Sequence, residues 1–102
     1  MALSKDGAVL RLSPRDNVAV ALKALEPGAI VALDDLEVSA MQAIPSGHKI
    51  ALLEIPLGDP ILKYGQTMGR ATVTIQPGDH VHVHNVEGLR GRGDLAPRTP
   101  AG

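Results

Sequence analysis

Apolar positions along the chain come in short runs that keep changing period. Ala8 to Leu12 is long enough for a first short strand. Ser13-Pro14-Arg15-Asp16 then has the make-up of a helix start, with Ser13 or Asp16 as cap and Pro14 suited to the first turn. Val18, Ala21, Leu22 and Leu25 follow at i, i+3, i+4 and i+7, so the pattern predicts a short helix over Asn17 to Leu25, ended by Pro27-Gly28. Beyond Gly28 the spacing shortens. Ala29 to Leu33, Lys49 to Ile55, Pro60 to Tyr64, Gly69 to Ile75 and His80 to Asn85 are expected strands between turns. The expected fold class is mostly β (α+β), with one short helix near the amino terminus.

Two connections share their chemistry, Ile55-Pro56-Leu57-Gly58-Asp59 and Ile75-Gln76-Pro77-Gly78-Asp79. In each, an aliphatic residue gives way to Pro and Gly before an acidic residue and a new strand, as a tight connection requires. This is a likeness of turn chemistry and by itself no evidence of a duplication. From Glu87 onwards the residues are mainly Gly, Arg, Pro and Thr. The expected organisation is one domain over 1–87 and a tail over 88–102. The Arg92-Gly93-Asp94 triplet in that tail is read as a chance occurrence.

Composition narrows the chemistry. The 102 residues carry 10 basic and 11 acidic side chains and a single aromatic residue, Tyr64. Nucleic acid is not an expected partner, because there is neither a basic field for phosphates nor a platform for stacked bases. The absence of Cys removes disulfides, thiolate metal sites and thiol nucleophiles from consideration. No apolar run approaches the ~20 residues that a bilayer requires, so the expectation is a cytoplasmic protein with no membrane partner. A small core without Phe or Trp leaves little margin of stability, and a protein partner or homo-oligomer would add to it.

Candidate chemistry centres on four histidines. In an extended His80-Val81-His82-Val83-His84-Asn85 segment the three imidazoles would share one face, about 7 Å apart for neighbours and about 13 Å for the outer pair. Two of them could converge on one metal, and a further ligand would have to come from elsewhere. His82 and His84, nearest the exit of the strand, are the candidate metal ligands. His48, directly after Gly47, can project into a cleft and act as acid or base near neutral pH. Lys63 offers a point charge to a carboxylate, Tyr64 a phenol, and Arg70 a two-pronged anion contact. Asn85 is the further candidate for substrate contact. Asp34 and Asp35 are adjacent and are not expected to form a catalytic dyad.

Asp16-Asn17-Val18-Ala19-Val20-Ala21-Leu22, Ile44-Pro45-Ser46-Gly47-His48-Lys49-Ile50-Ala51, Ile61-Leu62-Lys63-Tyr64-Gly65 and Ile75-Gln76-Pro77-Gly78-Asp79-His80-Val81-His82-Val83-His84-Asn85 occur in that order. Together they resemble the SAF-type domain of the altronate and galactarate dehydratase family, over about Leu10 to Glu87. The resemblance implies a β-clip fold, found either at the amino terminus of a long dehydratase or as a small subunit that works with a large one. It also implies loss of water from a sugar acid to give a 2-keto-3-deoxy product, with a divalent metal, often iron or manganese. The related two-subunit sulfolactate sulfo-lyase has a small subunit of the same kind and expels sulfite. The chain lacks the large domain of the long members, so the implied partner is a large dehydratase subunit and the implied ligand a sugar acid. In that reading His48, Lys63 and Tyr64 are catalytic, Lys63, Arg70 and Asn85 bind substrate, and His82 and His84 bind metal. A sulfo-lyase small subunit and a sugar-acid or metal-binding module without turnover are the alternatives.

Overall fold

A computed structural model describes residues 1–33 and 36–88. The pair Asp34-Asp35, the triplet Arg92-Gly93-Asp94 and the expected tail, apart from Gly88, lie outside the described residues. Those residues form short strands and turns, with no helix among them. Strands β1 (Ala2–Leu3), β2 (Val9–Arg11), β3 (Val18–Ala21), β6 (Lys49–Ala51) and β9 (His80–Val81) make one antiparallel sheet in the order β1-β2-β3-β6-β9. Strands β4 (Ile30–Leu33) and β5 (Leu36–Ser39) form a hairpin, while β7 (Pro60–Lys63) and β8 (Gln66–Ala71) form a second, extended by β10 (Val86–Gly88) along β8.

The helix expected over Asn17 to Leu25 is not formed. Val18 to Ala21 is strand β3, and the chain then bends into a loop. The helical spacing arose because β3 is buried on both faces, so its apolar residues are contiguous and supply any period. Val18 enters one core with Ala51, while Ala19 enters the other with Ile50, its register partner. Leu22, which a helix would have buried, is 47% exposed.

Each hairpin is clipped to the central sheet by a pair of equivalent loops. The sequence Ala-x-x-x-Leu/Ile-x-x-Gly occurs at Ala21-Leu25-Gly28, Ala40-Ile44-Gly47, Ala51-Ile55-Gly58 and Ala71-Ile75-Gly78. Leu25 and Ile44 exchange backbone hydrogen bonds of 2.8 and 2.9 Å, and Ile55 and Ile75 exchange two of 2.8 Å. The glycine N–H groups then reach across. Gly28 donates to the Ala40 carbonyl and Gly47 to that of Ala21, while Gly58 donates to Ala71 and Gly78 to Ala51. All four glycines have φ between 86° and 91°, a region that L side chains rarely adopt. The small, buried alanines let these backbones approach. The arrangement is therefore used twice, once between β3 and β6 and once between β6 and β9. Only the Ile55 and Ile75 copies stand out in the sequence by their Pro-Gly-Asp chemistry.

Asp16 also differs from its expected role as a helix cap. It is 1% exposed, and its carboxylate accepts the backbone N–H groups of Ser13 (3.1 Å), Tyr64 (2.8 Å) and Gly65 (2.8 Å). Next to it, Asn17 donates to the Pro60 carbonyl and accepts from Leu62 N–H. Two adjacent polar residues thus hold the β7–β8 hairpin against the central sheet. This supports Tyr64 at φ 58°, an unusual conformation for an aromatic residue, in the two-residue turn with Gly65.

Candidate functional site

His48 follows the turn glycine of the second Ala-x-x-x-Ile-x-x-Gly loop and directly precedes β6. Its backbone is held at both ends: His48 N–H donates to Pro45, and its carbonyl accepts Ala21 N–H at 2.8 Å. β9 pairs with β6 so that Ile50 lies opposite His80 and Lys49 opposite Val81. His80 therefore shares a face with Ile50 and with His48, two residues before it. Its N–H is fixed by Gln42 Oε1 at 2.8 Å, and Gln42 Nε2 donates to Asp79 Oδ1.

The chain does not continue as a strand to Asn85. After Val81 it turns over residues 82–85, leaving Val83 81% exposed where an extended strand would have packed it. Asn85 makes this turn. Its buried side chain accepts His82 N–H at Oδ1 (3.0 Å) and donates from Nδ2 to the His80 carbonyl (2.9 Å), while its backbone N–H reaches the His82 carbonyl. The estimate of about 13 Å along an extended segment does not apply to this bent chain.

Four imidazoles consequently meet. His48 Nδ1 lies 2.8 Å from His80 Nε2, so one of these nitrogens carries the proton and the other accepts it. The His82 ring stacks on His48 at a centroid distance of 3.9 Å, and the His84 ring stands 5.0 Å from His80. One ring nitrogen from each of His48, His80 and His82 lies within 4.8 Å of the other two. These three residues could form a metal site. His80 completes it and was not among the candidate ligands, whereas His84 sits at its edge.

Charge is unfavourable in this cluster. The His80 pKa is lowered from the ordinary 6.5, first by burial and then by His84, His48, His82 and Lys49. His82 is lowered by desolvation and by His48, Lys49 and His84. Half-buried Lys49 is itself pushed down by burial and by Lys63. Neutral imidazoles near pH 7 are the form in which histidine ligates metals. The chemistry of the donor set, nitrogen ligands without a carboxylate among them, fits a divalent transition metal.

Beside the cluster is a cavity of about 260 Å³ lined by Lys49, Ile61, Met68, His82, Val83, Val86 and Gly88. His82 borders both this cavity and the ring cluster. Lys63 lies near enough to Lys49 to repel it, at the end of β7. Tyr64 is 68% exposed at the adjoining turn. Arg70 is exposed on β8 and donates to the Gly58 carbonyl at 3.2 Å. Among the described residues no hydrogen bond or ring contact joins Tyr64 or Arg70 to the imidazoles, and the Asn85 amide is occupied within its own turn.

A small all-strand domain with clipped hairpins and a histidine cluster at one edge is thus the class of protein. The family model for the altronate/galactarate dehydratase SAF domain matches residues 7–89, and the chain belongs to this family. It is 42% identical over 76 residues to an altronate dehydratase of Escherichia coli strain K12, covering 74% of this chain and 15% of that protein. It is 40% identical over 55 residues to a (2R)-sulfolactate sulfo-lyase subunit alpha of Chromohalobacter salexigens, covering 54% of this chain and 58% of that subunit. A galactarate dehydratase (L-threo-forming) of Escherichia coli strain K12 is 35% identical over 74 residues, 71% of this chain and 14% of that protein. The chain thus spans about one seventh of the dehydratases that it matches. No helix among the described residues is long and apolar enough to cross a membrane.

Proposed function

We propose that this domain contributes a histidine-held metal and a cationic cavity to the active site of a sugar-acid dehydratase, completed by a large dehydratase subunit. The convergence of His48, His80 and His82 carries this reading. These residues would hold a divalent ion, iron or manganese, which when bound supplies positive charge for the oxygens of a hydroxy acid.

Dehydration passes the proton α to the carboxylate to a base of the completed site and expels the neighbouring hydroxyl as water, leaving an enol that becomes the 2-keto acid. The charge that develops on the carboxylate favours nearby cations. Lys63 and Lys49 supply that field from the protein side. In this reading His84, whose ring neighbours His80, gives a proton to the departing hydroxyl, and the exposed phenol of Tyr64 is offered to the large subunit. Asn85 acts on substrate through the turn it holds, which carries His82 and Val83 of the cavity wall. Family membership and the dehydratase relatives support this choice of reaction.

The sulfo-lyase reading is the second. The chain covers more than half of a relative that is itself a separate subunit alpha. Both readings are tested by mixing the chain with a large dehydratase subunit and iron(II) or manganese(II), then supplying altronate, galactarate or (2R)-sulfolactate. Keto acid from a sugar acid, formed only with both chains, is expected. Sulfite from sulfolactate would select the second reading. An undiminished rate with a His48→Ala, His82→Ala double variant would reduce the domain to a binding module.

A further inference from the structure

Lys49 is a half-buried cation on β6, directly after His48. Its near neighbour in charge is another cation, Lys63, which together with burial disfavours the ammonium. A partly desolvated ammonium beside a like charge lowers stability, because water is lost and the neighbour repels it. The fold nevertheless keeps it on the wall of a cavity that it shares with Ile61, Met68, His82, Val83 and Val86. Strand alternation accounts for its position: Lys49 lies opposite Val81 and Val20, on the face of the core that contains Ile61 and Val81.

We propose that Lys49 is the anion-binding residue of this site and takes the carboxylate of a small 2-hydroxy acid, with the hydroxyl directed to His82. The inference rests on the sugar-acid reading and adds the group that anchors the substrate. The cavity lining combines one cation, four apolar side chains and one imidazole that also belongs to the histidine cluster. An anion at Lys49 regains a charge-assisted contact for the ammonium and offsets its repulsion by Lys63. At about 260 Å³ the space suits a compact acid. A neutral polyol would leave the repulsion by Lys63 in place, and a cation would itself be repelled.

Glycolate, the smallest 2-hydroxycarboxylate, is a suitable probe. Titrating it into the chain, with and without cobalt(II), and following amide and lysine side-chain NMR signals gives affinity and location together. Glycolate is expected to move the signals of Lys49, His82 and Val86, and ethylene glycol to leave them in place. Lys49→Gln should weaken binding at least about tenfold, with Lys49→Arg restoring most of it, as expected for loss and regain of a charge-assisted hydrogen bond. Lys23→Gln, an exposed change elsewhere, controls for general loss of charge. The proposal is overturned if Lys49→Gln binds glycolate as wild type does, or if ethylene glycol binds equally well. Should Lys49→Gln fail to fold, unmoved Lys49 side-chain signals in the glycolate-treated wild type overturn it instead. Cobalt(II) absorption separates the two readings. Cobalt bound by Lys49→Gln with unchanged glycolate affinity sinks this inference alone. Lysine-dependent glycolate binding without any cobalt site sinks the metal reading alone.

Discussion

His48 Nδ1 and His80 Nε2 lie 2.8 Å apart although 32 residues separate them in the chain. The contact exists because β6 and β9 are neighbours in the central sheet, in a register that sets Ile50 against His80. Replacing His80 by Ala should therefore weaken metal binding more than replacing His84. Loss of an outer partner of a ligand costs about 10–100-fold in affinity, and loss of a ligand should exceed that. Cobalt(II) or manganese(II) titration of the two variants measures the difference, and equal affinities would place the ion elsewhere.

The metal-free chain should lose stability on acidification. Because the folded pKa values of His80 and His82 are depressed, the unfolded chain binds protons that the folded chain refuses as pH falls below about 6.5. The thermal midpoint in a chelator is expected to fall between about pH 7.5 and pH 5, and His80→Gln should flatten that slope. Asp6, held below 3.8 by Ala8 N–H and Ser4, adds its loss only under about pH 4, so the two windows separate. With metal bound the slope should steepen, since protons compete for the same nitrogens.

Asn85 should behave as a positioning residue. Asn85→Asp keeps an acceptor for His82 N–H but removes the donor to the His80 carbonyl, while Asn85→Leu removes both. Leaving these buried groups unpaired costs about 1–3 kcal/mol, and the thermal midpoint of a domain this size falls by about 4–8 °C per kcal/mol. The Leu variant should also lose metal affinity. Retained affinity in a destabilised but folded variant would show that the 82–85 turn is not needed to gather the rings.

Tyr64 separates conformation from chemistry. At φ 58° a tyrosine pays a cost that asparagine largely escapes, about 1 kcal/mol. Tyr64→Asn should raise the thermal midpoint by several degrees. A simultaneous loss of rate in the reconstituted enzyme would assign a role to the phenol, and an unchanged rate would assign none.

Two glycines with nearly the same backbone angle should respond differently. Gly47→Ala meets open space and pays only for φ 86°, about 1–2 kcal/mol. At Gly78 an added Cβ would run into the Ser39 carbonyl and the Met41 side chain. That overlap adds about 1–3 kcal/mol. Urea midpoints of the two variants should separate accordingly, with Gly78→Ala the less stable.

Turn glycines, aliphatic alternation and the ordered set of motifs could be read along the chain because each depends on neighbours only a few residues away. The strand at Pro60–Lys63 and the family both follow from such local signals. The helix over Asn17 to Leu25 was misleading because burial of β3 on both faces removes the alternation that marks a strand. The extended His80 to Asn85 segment failed because Asn85 closes a turn there, which its residue type permits but does not require.

What the sequence determined by itself was a small, turn-rich β domain, its family and a set of histidines capable of acid, base or ligand chemistry. Tertiary structure decided which of them meet, and it brought His80 into a trio with His48 and His82. It also turned Asp16 from a cap into the anchor of a distant hairpin and left Lys49 half-buried beside a cavity. These outcomes depend on strand register and on which face each residue buries, energies shared among elements far apart in the chain, so no local pattern records them.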